Sequence, residues 1–241
     1  MRSLILIGSM TAMAAILVGC SAGAQESERR TAERSFPVGA FHSVSLGGSE
    51  SVIVTVGGAP SVRAEGDADL LERLEIAVED GELRIAQRGR SWSLGFSRHR
   101  PVTVHVTVPA LVGAAVGGSG DMRIDRVEGQ RFVASVGGSG DIQIDRMQVA
   151  EAIFSVGGSG DIRAAGAAQR SEIHLAGSGG IDLDRLQTED ATVSLAGSGD
   201  IVARATGTAR VSLVGSGDVV VNGTARCEVS KRGSGDVRCG A

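Results

Sequence analysis

Apolar and polar residues alternate along most of this chain, and from residue 113 glycines interrupt the alternation at near-regular intervals. Ahead of the first six interruptions stand Val116, Val136, Val156, Leu175, Leu195 and Leu213, each with an apolar residue two places earlier (Ala114, Ala134, Phe154, Ile173, Val193, Val211), and ahead of the seventh stand Lys231 and Val229. Behind it stand Met122, Ile142, Ile162, Ile181, Ile201, Val219 and Val237. A second position follows two places on: Ile124, Ile144, Ala164, Leu183, Ala203, Val221 and Cys239. Residues two apart share a face only in an extended strand, so the pattern predicts strand, tight corner, strand. The corner is a pentapeptide written seven times: Gly118–Met122, Gly138–Ile142, Gly158–Ile162, a worn GSGGI at Gly177–Ile181, Gly197–Ile201, Gly215–Val219 and Gly233–Val237. Two glycines per motif exclude a helix, where each would cost about 1 kcal/mol.

Successive motifs are 18 to 20 residues apart. A fixed period in this range marks a solenoid, in which each repeat buries its apolar face only against its neighbours. Equal coils stack identical columns about 4.8 Å apart in parallel sheets. The expected fold is therefore all-β, a parallel β-helix of about seven coils over residues 113–241, right-handed by the chirality of parallel crossovers. Its core must be narrow, because 241 residues contain no Tyr, one Trp and five Phe. The corner glycines are expected at positive φ. The motif aspartates Asp121, Asp141, Asp161, Asp200, Asp218 and Asp236 form a column, each expected to accept hydrogen bonds from N–H groups of its own corner.

Residues 36–112 keep the strand pattern without the strict motif. Val44-Ser45-Leu46 runs through Gly47-Gly48-Ser49-Glu50 into Val52-Ile53-Val54, a degenerate copy of the corner. Further strands are expected at Val62–Glu65, Leu74–Val78, Leu83–Ala86 and Val102–Val108. A short helix is expected over Asp67–Arg73, with Asp67 as N-cap. This region should continue the solenoid and cap one end; Lys231 and Arg232 place charge on the terminal rung at the other.

The layout resembles the putative auto-transporter adhesin, head GIN domain family. The resemblance rests on Phe41–Val54, Glu65–Leu71, Asp80–Ile85 and the recurrent GSGD corners, over roughly residues 36–241. It implies an exported or surface-attached β-helical domain. The GSGG corner and the cysteine-containing tail depart from the pattern.

Residues 1–19 read as a lipoprotein-type signal peptide. Arg2 precedes an apolar stretch, Leu4–Val18, which closes in Leu17-Val18-Gly19-Cys20. That tetrapeptide resembles a lipobox, which implies lipid attachment at Cys20 and a membrane partner; cleavage after Ala22-Gly23-Ala24 is the rival reading. Residues 20–35 read as a flexible tether. Ser21 is not the Asp that retains such lipoproteins at the inner membrane, which by resemblance implies outer-membrane placement in a Gram-negative host. Cys227 and Cys239 read either as a disulfide, in an exported chain, or as two small core residues. Without the signal peptide the chain has 23 basic and 28 acidic residues, net −5, which argues against a nucleic-acid partner.

Three chemistries are legible. Stacked carboxylates could suit calcium, but the Asp falls one place too early for the β-roll nonapeptide and Gly180 interrupts the column. No metal or other cofactor is therefore expected. Polysaccharide cleavage needs two carboxylates in different environments flanking a cleft; these corners are short and uniform, and His42, His99, His105 and His174 are scattered. The third is a basic, aromatic loop in which Arg84, Arg88, Arg90, Arg98 and Arg100 bracket Trp92 and Phe96. Arg88, Arg90, Trp92 and Phe96 are the candidate ligand contacts, for an anionic envelope glycan, a lipid head group or another surface protein; a solvated hairpin tip whose Trp92 covers the cap is the favoured alternative. The leading expectation is a non-enzymatic envelope lipoprotein that presents a rigid β-helix as adhesin or scaffold. A periplasmic protein binding an anionic envelope polymer through residues 84–100 comes second, and a polysaccharide-active enzyme third.

Overall fold

The computed structural model describes residues 31–88, 102–223 and 226–240. In chain order the elements are β1 (Thr31–Phe36), β2 (Ser43–Leu46), β3 (Ser51–Val56), β4 (Ser61–Asp67), α1 (Ala68–Arg73), β5 (Leu74–Glu79), β6 (Glu82–Gln87) and β7 (Thr103–Val108). The repeats supply β8 (Gly113–Val116), β9 (Met122–Ile124), β10 (Val127–Val136), β11 (Ile142–Val156), β12 (Asp161–Gly177), β13 (Gly180–Gly197), β14 (Asp200–Gly215), β15 (Val219–Asn222), β16 (Arg226–Gly233) and β17 (Val237–Cys239). From β8 onward all pairings are parallel, coil upon coil, making a β-solenoid of about six turns.

Register through the corners is strict. Variation in coil length is taken up on the opposite wall, where pairing shifts between Ile144 and Met147, Arg163 and Gly166, Asp182 and Gln187, and Thr188 and Asp190. The repeat columns point inward and are buried through Val221; in the last coil Val237 and Cys239 are partly buried and Val229 and Lys231 exposed. Phe132 and Phe154, both fully buried, are accommodated by alternation: Phe132 lies beside Ala152 of the next coil, and Phe154 beside Ala134 of the previous one. Large faces small in each direction, so two phenylalanines fit a bore otherwise filled by aliphatics.

The N-terminal region is interleaved with the solenoid. β2 lies between β6 and β8, and β3 between β7 and β9, all parallel. The coil at residues 43–56 is thus inside the stack, and the strands that follow it in sequence form the outer layer. That layer is finished by antiparallel strands: β5 on β6, and β1 on β4 on β7. Asp67 caps α1, its carboxylate accepting from the N–H of Asp69 at 3.1 Å. Of the segment expected as a tether, residues 31–35 are instead strand, because β1 covers the free edge of β4. Arg34 fixes it there, donating to the Leu71 carbonyl at 3.5 Å and stacking 4.8 Å from the centroid of Phe36. No helix among the described residues is long and apolar enough to cross a membrane.

Candidate functional site

The corner column is backbone packed on backbone. In each coil the carbonyl of the first motif glycine accepts two N–H groups from the next coil. Gly118 O takes those of Ser139 and Gly140 at 3.0 and 3.2 Å, and the pattern repeats from Gly48 to Gly215. The second motif glycine is buried at every step. It is not at positive φ, contrary to expectation; the first glycine takes positive φ in the later corners, as at Gly197 (147°) and Gly215 (136°). The second must be glycine for a different reason: a Cβ on Gly140 would collide with the Gly120 carbonyl below.

The aspartates form a ladder between corners. Asp121 Oδ1 accepts from Asp141 N at 3.1 Å and Asp141 Oδ1 from Asp161 N at 2.9 Å. Asp161 Oδ1 accepts from Gly180 N at 2.8 Å, and the upper part of the column repeats the link from Asp200 to Asp218 and from Asp218 to Asp236. These five carboxylates thus serve the coil above them, whereas the sequence had suggested that each would close its own corner. Where Gly180 lacks a carboxylate, the Gly179 carbonyl takes over the N–H of Asp200 at 3.3 Å. At the first corner Glu50 occupies the place of the buried second glycine. It is 1 % exposed and neither carboxylate oxygen is hydrogen-bonded among the described residues.

Of the basic loop, Arg84 and Arg88 are described and both are paired on the outer layer. Arg84 reaches Glu79 at 2.9 Å, and Arg88 donates through two nitrogens to Glu75 at 2.9 and 2.7 Å. Arg90, Trp92, Phe96, Arg98 and Arg100 lie outside the described residues, as does Cys20. Cys227 and Cys239 form a disulfide, Cα–Cα 6.3 Å, across the last coil. Near the same end, Asp184 is held below the usual carboxylate range, first by a hydrogen bond from Asn222 at 2.7 Å; desolvation opposes it, and the hydrogen bond and charge of Arg204 at 2.9 Å add to the lowering.

Residue types did not single out a hollow of about 770 Å³ on the wall where the register shifts. It crosses five coils, from Gly129 to Gly207, and adjoins a second hollow of about 550 Å³ through Gly129 and Gln130. Its rims carry Gln130, Gln148, Gln169 and Gln187; its floor includes Val149, Ala168 and Thr188, all buried. Thr188 is satisfied within the wall, donating to the Arg204 carbonyl at 2.8 Å.

The family model for the putative auto-transporter adhesin, head GIN domain, matches residues 40–225. The chain belongs to this family. Solved structures of similar proteins share the fold of this head GIN domain. A putative adhesin from Bacteroides fragilis NCTC 9343 is 22% identical with TM-score 0.82, the match covering 88% of this chain and 97% of that one. A putative adhesin from Parabacteroides distasonis ATCC 8503 is 18% identical with TM-score 0.74, covering 88% and 98%. A putative lipid binding protein from the same organism is 21% identical with TM-score 0.67, covering 88% and 97%. No curated protein matches the head GIN domain chain.

Proposed function

We propose that this head GIN domain protein is a non-enzymatic, exported envelope lipoprotein, anchored through Cys20, whose solenoid serves adhesion. The reading is carried by the Asp ladder. Of the repeated carboxylates, which are the obvious candidates for chemistry, Asp121, Asp141, Asp161, Asp200 and Asp218 each give an oxygen to the backbone of the next coil. They therefore build a stiff rod. Family membership and the fold of the adhesin-like neighbours support the same view. The lipobox and the short apolar stretch before it support export and acylation.

Two measurements test it. Metabolic labelling with a fatty acid should mark the wild-type protein and be lost in Cys20→Ser. Protease added to intact cells should cleave the protein if it is displayed outward. Unlabelled wild-type protein removes the anchor from the proposal, and complete protection in intact cells that lyse to a sensitive protein removes adhesion.

A further inference from the structure

We infer that the C-terminal mouth of the solenoid is a docking surface for a second copy of this chain, the two mouths meeting about a two-fold axis through Ser230. The inference deepens the adhesion reading by naming the partner, and it rests on that reading only for its setting between two cells.

The two ends of the core are finished differently. At the base Val62, Leu71 and Leu74 are each at most 5 % exposed. At the mouth the inward column ends in Lys231 and in Val229, which is 49 % exposed, and Val237 and Cys239 are only partly covered. Among the described residues β16 pairs with β14 and β17 with β15, and neither has a strand on its other side. Register gives the direction of the unpaired groups. The N–H of Val133 bonds down to the Val112 carbonyl, and Val133 stands in the column of Ile153, Glu172, Thr192, Arg210 and Glu228. Backbone groups alternate sides along a strand. Glu228, Ser230 and Arg232 therefore turn theirs to the coil below, while Cys227, Val229 and Lys231 turn theirs out of the mouth. An edge of this kind is a template for another strand.

The side chains of β16 select the occupant and its register. Directly opposed residues of an antiparallel pair must both turn their backbone groups toward the partner or both away, so a two-fold axis between two copies of β16 passes through a residue. An axis on Glu228, Lys231 or Arg232 sets that charge against itself, and an axis on Val229 sets Arg226 against Arg232 of the other copy. An axis on Ser230 sets Glu228 against Arg232 twice, at pairs without backbone bonds, where side chains lie closest. Val229 and Lys231 of one copy then exchange backbone bonds with Lys231 and Val229 of the other. The Lys231 ammonium lies 3.7 Å from Asp236 of its own corner, which leaves its methylene stem to cover Val229 across the axis. Arg232 makes no ion pair among the described residues, and Glu228 has an exposed one with Arg210 at 3.2 Å. Charge on an edge strand guards against association; here it excludes the registers centred on the neighbouring residues and favours this one. A two-fold contact closes on itself, giving a dimer and not a fibre. Its two bases point in opposite directions, as those of chains anchored in two facing membranes would.

The test is sedimentation equilibrium of the mature chain carrying Cys20→Ser, which cannot be acylated. The end face of a solenoid is small, in the class of transient contacts below about 1,200 Å², so the dimer is expected to be populated only toward about 0.5 mM. Glu228→Arg and Arg232→Glu each set like charges across the axis twice, and each should weaken the dimer at least about tenfold. An equimolar mixture of the two variants restores opposite charges at both places and should associate within about threefold of wild type. The changed side chains are exposed, so melting temperatures measured on dilute protein should match wild type. Cells producing either variant alone should not clump, and the two populations mixed should. A chain that stays monomeric at about 0.5 mM leaves the mouth to a different partner and overturns the inference. So does a dimer that both single variants leave intact, or a mixture that fails to associate although each variant melts as wild type does. Cells that fail to clump although the soluble chain dimerises refute the adhesion reading and leave the interface standing. Cells that clump whichever variant they carry keep adhesion and move it to another surface.

Discussion

Replacing Gly199 by Ala is the sharpest test of the packed corner, because one methyl group meets atoms that cannot move independently. A Cβ there would fall inside contact distance of the Gly179 carbonyl in the coil below and 2.9 Å from Leu175 Cδ2. The side chain could turn away; the carbonyl could not without separating two coils. That separation weakens the pair of bonds from Ser198 N and Gly199 N to Gly177 O, at 3.0 and 3.2 Å. Two hydrogen bonds at about 0.5–1.5 kcal/mol each and overpacking at about 1–3 kcal/mol sum to a loss of about 2–6 kcal/mol. In a chain of this size each kcal/mol lowers the melting temperature by about 2–4 °C. The control is Gly137→Ala, one place before the motif, where a Cβ would meet nothing within 4 Å; its cost should stay within about 0.5 kcal/mol. Thermal and urea unfolding followed by circular dichroism measure both. If Gly199→Ala melts with the wild type, or if the two variants lose the same amount, the corner is not held by backbone contact and the reasoning fails.

Asp141→Ala should cost about 1–3 kcal/mol, because it leaves the N–H of Asp161 without its acceptor, while Asp236→Ala, whose carboxylate accepts no backbone N–H among the described residues and makes only exposed ion pairs, should stay within about 0.5 kcal/mol; comparing the two melting temperatures isolates the ladder. The same ladder predicts equal melting temperatures in chelator and in millimolar calcium, since free ligand at about 100 times its dissociation constant would add about 2.7 kcal/mol; a clear rise with calcium would return the column to metal binding. Asp184 gives a pH signature: its folded-state pKa is lowered, mainly by Asn222 and then Arg204, so its contribution is complete above the unfolded carboxylate value and disappears as pH falls through the folded one. Melting curves taken down to strongly acidic pH should therefore show an acid-side loss in wild type that is smaller in Asn222→Ala, and identical curves would contradict the assignment.

Columns and corners were legible because a solenoid writes its contacts locally: each inward residue recurs one period later, so the core can be read without knowing the fold. Val116 through Leu213 and Met122 through Val237 needed nothing else. The interleaving of residues 43–56 was not legible, since the order in which strands stack is a long-range choice with no signature in Val44–Val54. The Asp column was identified, but its hydrogen-bond partner was misplaced by one coil, because a ladder and a self-closed corner require the same residue type. Glycine was expected for its φ angle where, at Gly140 and Gly199, the requirement is the absence of a Cβ. The hollow was passed over because no single glutamine is informative; only the pairing of successive coils brings Gln130, Gln148, Gln169 and Gln187 to one wall. Arg88 could be read as basic, whereas its pairing with Glu75 depends on the hairpin that brings β5 beside β6.

The interleaved end bears on how such a chain can change length over generations. A coil between Val127 and Asn222 pairs its backbone only with the coil on either side, although the Asn222 side chain reaches Asp184 two coils away, so duplicating or deleting one of 18 to 20 residues leaves every other column in register. Nothing comparable is open to residues 43–124. There β2 and β3 are clasped between β6 and β7 on one side and β8 and β9 on the other, so a whole-period insertion would part strands that are distant in sequence. The rod can lengthen or shorten in its repeated portion while its N-terminal base stays constant. Relatives should accordingly differ in coil number without differing in the layout of the base, and the reach of the molecule becomes a quantity that gene duplication can adjust one coil at a time.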